Sequence, residues 1–304
     1  MSAMRTRTWE KAVFTYFDLL PRKVFLRTEF GKLLTEHRSE WAAPESLTAS
    51  RLMAVLKENG HLHELRIVPD RPKESARSDA SMKTPKPIVR YAWGTPDPYA
   101  IGASLRSGAY LSHASAMFLH GLTQELPKTI YVNKEQSFKP PGDGGLTQEA
   151  LDRAFKSRQR VSTYVFSFEG YRYVLLSGKS TNRLEVSEMA LGDKTRVPVT
   201  KLERTLIDIS VRPVYAGGVF EVAKAFAAAK PNVSVATLLA TLRKLNYVYP
   251  YHQVIGYYMA RAGYDRDKVE KFKSFGLNYD FYLANGLPAP HLVPEWRLWV
   301  PEGM

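Results

Sequence analysis

A two-domain α+β chain is what this sequence predicts, on three observations. The first 93 residues read as three amphipathic helices and then two short strands. From residue 94 on, helical and alternating patterns are mixed over a stretch more than twice as long. At 304 residues the chain is also long enough for two domains. The expected boundary lies near Gly94–Asp97. The expected architecture is an N-terminal winged helix-turn-helix over 1–93 and a larger mixed α/β domain over 94–304.

Trp9 to Leu20 predicts the first helix, with Trp9, Val13, Tyr16, Phe17 and Leu20 near one face and Pro21 as its stop. Phe25 to Arg38 predicts a second, with Phe30, Leu33 and Leu34 inward. Ser46 or Thr48 opens a third that runs to Asn59, and Gly60 terminates it. Leu52, Val55 and Leu56 face inward there. His61–Val68 alternates as a strand, with Leu62, Leu65 and Ile67 apolar and a break in phase near Glu64, and Ile88–Trp93 is a second strand. Three helices and a hairpin follow the order of a winged helix-turn-helix, in which the third helix enters the major groove and the hairpin contacts phosphates. On that reading Thr48, Ser50, Arg51 and Lys57 meet DNA from helix three. Arg71, Lys73, Arg77, Lys83, Lys86 and Arg90 meet it from the wing, opposed only by Glu74 and Asp79. The other reading of the pattern is an ordinary core helix followed by a polar surface loop. The segment Pro69–Pro87 is longer than a compact hairpin loop.

The second part opens with helices over Asp97–Arg106 and Leu111–Leu122 and a strand over Thr129–Asn133. Phe138–Gly145 reads as a loop. Thr163–Phe168 and Tyr171–Leu176 pair across Glu169-Gly170, and Leu184–Met189 and Arg196–Val199 are further strands. Val197–Lys230 then reads as strand, helix, turn, helix. Thr200 and Glu203 have the spacing of a capping box. Leu202, Leu206 and Ile209 form an inward stripe, with Arg204 and Asp208 four apart on another face. Pro213 and Gly217-Gly218 make the turn. Val219, Val222, Ala223 and Phe226 restart the inward face. Helices are expected over Val233–Leu245, Tyr249–Ala262 and Asp267–Phe275, and an irregular tail from Asn278.

The net charge is +13. Residues 1–93 carry 17 Lys and Arg against 11 Asp and Glu, and the longer remainder 26 against 19, so excess positive charge is denser at the N-terminal end. That balance suits a polyanionic partner such as nucleic acid, with salt-dependent binding. Zero cysteines exclude disulfides, thiolate zinc sites and a cysteine nucleophile. No apolar run approaches the roughly 18 residues of a membrane span, and MSAMRTRTWEKAVF lacks a signal-peptide pattern, so a cytoplasmic location is expected.

Catalytic signatures are few. The sequence holds no GxSxG elbow, no P-loop and no HExxH. His61 and His63 share a strand face, without a third ligand nearby. His113 and His120 lie seven apart on one helix, where a capping or core role is the alternative to catalysis beside Ser112 and Ser115. Arg204, Asp208 and Arg212 form a polar row that reads either as a metal-holding site or as a buried ion pair. The first needs several converging carboxylates, which the sequence does not offer. Tyr247, Tyr249, Tyr251, Tyr257 and Tyr258 suit base stacking or a core. Neither enzymatic activity nor a cofactor or metal is expected.

LERTLID, then Pro213, then YAGGVFEVAKAF resembles the central signature of the AbiEi family of antitoxins, also described as predicted transcriptional regulators of viral defence systems. GAYLSHASAMFLHGL with Pro127 and Ile130-Tyr131-Val132, and LNYVYPYHQVIGYYMARAGY, resemble two further stretches of it in the same order. Members carry an N-terminal winged helix. The resemblance implies a cytoplasmic antitoxin and autorepressor of a type IV toxin-antitoxin (phage defence) operon. It would bind repeats in its promoter DNA and oppose a nucleotidyltransferase-class toxin, with or without direct contact. Glu203, Arg204, Asp208, Gly217 and Gly218 would be the scaffold of its antitoxin domain. The rival readings are a stand-alone regulator with a ligand-sensing second domain and a nucleic-acid-processing enzyme.

Overall fold

The computed structural model describes residues 8–70, 85–138, 140, 145–192 and 195–304. It is a mixed α and β fold, with eleven α-helices among the described residues. The chain divides into two compact units, and the first is not contiguous: it comprises 1–109, 164–173 and 188–198. The break after Ala109 differs from the one expected at 94–97, because β-pairing recruits segments that lie far along the chain.

The first unit begins with α1 (Thr8–Leu19), β1 (Val24–Phe25), α2 (Arg27–His37), α3 (Ala49–Glu58), β2 (Leu62–Pro69) and β3 (Ile88–Trp93). The two-residue strand β1 lies where the sequence predicts a longer second helix. It pairs antiparallel with β3, Val24 opposite Ala92 and Phe25 opposite Tyr91. β2 pairs with the other edge of β3, from Leu62 opposite Trp93 to Ile67 opposite Ile88. Leu65 and Ile67 share one buried face of β2, as its period of two requires, whereas Leu62, three residues before Leu65, lies on the other face with Tyr91 and Trp93. Trp9, Phe17, Phe30, Trp41, Leu52, Leu56 and Trp93 fill a core beneath. Burying each large side chain contributes about 1.5–3 kcal/mol. The far end of β2 pairs with β6 (Val165–Phe168), Val68 opposite Ser167. α4 (Pro98–Ser104), capped by Asp97, also belongs to this unit.

In the second unit, β4 (Tyr110–Leu111) sits between β5 (Thr129–Glu135) and the end of β9 (Thr195–Thr200). It is antiparallel to β5 and parallel to β9, Leu111 opposite Val199. The C-terminal half of β7 (Tyr171–Gly178) flanks β5. The helix α7 (Leu202–Val211) packs against α5 (His113–Leu119), α8 (Val219–Ala229), α9 (Val235–Leu245) and α10 (Tyr251–Arg261). Its inward residues are Leu206, Ile207 and Ile209. The turn into α8 is a short 3-10 segment, Pro213–Ala216, then Gly217 and Gly218 at φ 84° and 99°. L side chains rarely adopt such angles, which is why a glycine pair stands there.

The unit holds one element without a sequence expectation and overturns another expectation. The helix α6 (Gln148–Lys156), with Thr147 as its cap and Leu151 and Phe155 buried, lies in a stretch to which the sequence assigns no element. The tail is not irregular: β10 (Phe281–Tyr282), β12 (Leu298–Val300) and β11 (His291–Val293) form a three-stranded sheet. The buried amide of Gln253 on α10 organises it, donating to the carbonyls of Tyr279, Trp296 and Arg297 at 3.0, 2.7 and 3.1 Å. Gly256, one turn further along α10, lies under the Trp296 ring, where a Cβ would meet ring carbons at 2.2 Å.

Candidate nucleic-acid interface and the polar core of the second unit

On α3, Thr48 is the N-cap: its hydroxyl accepts from the Arg51 amide at 3.2 Å, which satisfies a free donor of the first turn. Arg38 holds the connection that aims the helix. Its guanidinium donates to the carbonyls of Pro44, Glu45 and Leu47. Ser50, Arg51 and Lys57 are exposed. Arg51 lies 3.4 Å from Glu58, an exposed pair that is easily exchanged for another partner. Lys57 is more engaged, 2.7 Å from Glu64 and over the Tyr91 ring.

The wing candidates fare unevenly. Arg71, Lys73, Arg77 and Lys83 lie outside the described residues. Lys86 is exposed at the start of the return to β3. Arg90 corrects the expectation of an outward cation. It is 8% exposed, and its guanidinium donates to the carbonyls of Ser104 and Leu105 at 2.8 Å each, stapling the end of α4. Arg90 lies opposite Leu65 in the ladder, and both side chains are buried. His61 is exposed while stacking on Trp93 at 4.9 Å, His63 two residues on is exposed as well, and no third metal ligand joins them among the described residues.

In the second unit, Arg204 and Asp208 are 3% and 7% exposed and meet at 2.8 Å. Arg204 also donates to the Leu184 carbonyl at 2.9 Å. Burial pushes the Asp208 carboxyl up, and the Arg204 guanidinium pulls it back. Around them lie groups from four other segments. Glu135 accepts from the hydroxyl and amide of Thr181, the amide of Arg183 and the hydroxyl of Tyr110. Burial alone would raise Glu135, but these donors outweigh it and hold the carboxyl below its ordinary range. Burial raises the phenols of Tyr110 and Tyr247. His113 is buried at φ 52° beside Ser112, Oγ to Nδ1 2.8 Å. Burial, then the charges of Arg212 and Arg204, bring its pKa down to about 3, so the ring is neutral at pH 7. His120 bonds the Thr200 carbonyl at 2.7 Å.

The capping box is not formed. Lys201 is the N-cap of α7, and the Thr200 hydroxyl turns to that of Thr205 at 2.8 Å. Glu203 accepts instead from the amide of Ser234, at 2.8 Å, and so ties α7 to the start of α9. Tyr251, Tyr257 and Tyr258 are buried in the core, which removes them from base stacking.

No family model and no curated protein matches the chain. Among solved structures, the crystal structure of the RV2827C protein from Mycobacterium tuberculosis is similar in fold. It has a TM-score of 0.52 and 15% identity over 97% of this chain and 92% of that one.

Chemically, the second unit's polar core is a closed network. Among the described residues, no three His, Asp or Glu side chains converge as metal ligands, and no helix is long and apolar enough to cross a membrane. Glu135, Thr181, Tyr110 and Tyr247 were not legible as partners of Arg204 and Asp208. They come from separate strands and loops, and no spacing in the sequence links them.

Proposed function

We propose that this chain is a DNA-binding antitoxin of the AbiEi kind, an autorepressor that opposes a nucleotidyltransferase-class toxin. The observation that carries the DNA half is the succession α1–β1–α2–α3–β2–β3, with the strands paired β1-β3-β2 and α3 turning Ser50 and Arg51 to solvent. That order supports the winged helix-turn-helix reading, in which the third helix reads base edges in the major groove. The net charge of +13 supports it, since cations beside phosphates release counterions. The antitoxin half rests on the sequence resemblance through LERTLID and its flanking stretches.

The test uses the full chain, because β6 belongs to the first unit and a cut after residue 93 would strip β2 of its neighbour. Gel shifts on the chain's own promoter should show specific, salt-dependent binding that Ser50→Ala with Arg51→Ala abolishes. Undiminished specific binding by that double variant sinks the DNA half. Co-expression with the neighbouring gene should rescue growth. A neighbour that is harmless alone sinks the antitoxin half.

A further inference from the structure

Where α7 ends, the second unit carries a pocket of about 340 Å³ that none of the roles above uses. Gln159, Arg160, Ser162, Ser177, Arg212 and Tyr215 are in its wall, and no carboxylate is. Arg212 is half-buried at the C-cap of α7, and Arg160 is exposed. Among the described residues, neither guanidinium has a carboxylate within salt-bridge distance. The nearby buried acid, Asp208, is already taken by Arg204 at 2.8 Å. His113, packed edge-on against Tyr215 at 5.5 Å, is neutral and adds no further positive charge beside Arg212. The wall is held in place: the Ser162 amide donates to the Tyr215 hydroxyl at 2.9 Å, and the Ser162 hydroxyl to the Leu175 carbonyl at 2.6 Å.

Two guanidiniums without a salt-bridge partner among the described residues, lining one polar cavity, suit an anion. Guanidinium forks match the oxygens of a phosphoryl group, and two of them balance a dianion better than a singly charged carboxylate. The volume is within the range of small-molecule sites and leaves room beyond one phosphoryl group. We propose that this pocket binds the phosphomonoester group of a small phosphorylated molecule, with Arg160 and Arg212 clamping the phosphoryl oxygens. The inference goes beyond promoter binding and stands or falls independently of it.

The experiment follows thermal unfolding and calorimetric titration of the full chain in a phosphate-free buffer at constant ionic strength. The probes are inorganic phosphate, adenosine monophosphate and adenosine. Phosphate and the monophosphate should raise Tm by about 3 °C at ten times Kd, and adenosine should not. Equal affinities for the first two make the phosphoryl group the whole determinant, and a tighter monophosphate makes a nucleotide-like ester the ligand. Arg160→Gln, an exposed change with no partner to lose, should weaken binding at least about tenfold while leaving the unliganded Tm unchanged. Arg212→Gln should do the same, and Lys268→Ala, remote from the pocket lining, should bind as the wild type does. Absence of any phosphate-induced shift in the wild type overturns the proposal. So does a shift that survives Arg160→Gln, whatever Arg212→Gln does.

Discussion

Asp208→Ala is the most informative single change in the second unit. It leaves the Arg204 guanidinium 3% exposed, with only the Leu184 carbonyl at 2.9 Å and the Thr181 hydroxyl at 3.4 Å as neutral acceptors. An uncompensated buried charge of this kind costs about 3–5 kcal/mol, far more than the few tenths of an exposed pair at the same spacing. Asp208→Asn keeps the shape and one acceptor and should cost less. The double variant Arg204→Met with Asp208→Leu removes both charges and should lie within about 2 kcal/mol of the wild type, well short of the sum of the single changes. Urea unfolding followed by circular dichroism measures all four. If Asp208→Ala falls within about 1 kcal/mol of the wild type, the pair does not carry the stability assigned to it. In a growth-rescue assay, toxin neutralisation should fall in step with stability while promoter binding persists. A variant of wild-type stability that binds DNA and fails to rescue would make Asp208 a direct contact instead.

Three further outcomes are expected. His113 titrates near 3 in the fold against 6.5 unfolded, a depressed value, so its contribution is present above pH 6.5 and is lost as pH falls toward 3. His113→Asn, whose short side chain tolerates the positive φ, should flatten stability against pH below 6.5, by a slope that approaches about 1.4 kcal/mol per pH unit near pH 5, and an unchanged slope would refute the assignment. Gly218→Ala, at φ 99°, should destabilise by about 1–3 kcal/mol in the same urea assay. In gel shifts, Lys86→Ala should weaken binding to all sequences alike and lower the salt slope, and Arg51→Ala should relax specificity by about 1–3 kcal/mol at one base pair; no change in either refutes the interface.

Much of the fold was legible because its signals are local. The stripe Leu52, Val55 and Leu56 predicted α3, the apolar members Leu62, Leu65 and Ile67 predicted β2 despite a break in phase near Glu64, and Pro213 with Gly217-Gly218 predicted the turn after α7. The Arg204–Asp208 pair was visible as a four-residue spacing, although spacing cannot distinguish an exposed pair from a buried one. What escaped depends on partners distant in the chain. The strand β1 exists because β3 offers an edge, and the tail becomes a sheet because Gln253 supplies donors to it. Arg90 is charged and sits in a basic stretch, so the sequence assigns it to DNA, while the carbonyls of Ser104 and Leu105 claim it for the fold. The division into units likewise follows β2–β6 pairing across about a hundred residues. By itself, then, the sequence determined periodicity, turns and charge, which act between near neighbours. Tertiary structure alone decided which polar groups are buried and which cations remain unpaired, because desolvation and charge pairing depend on what distant segments bring into contact.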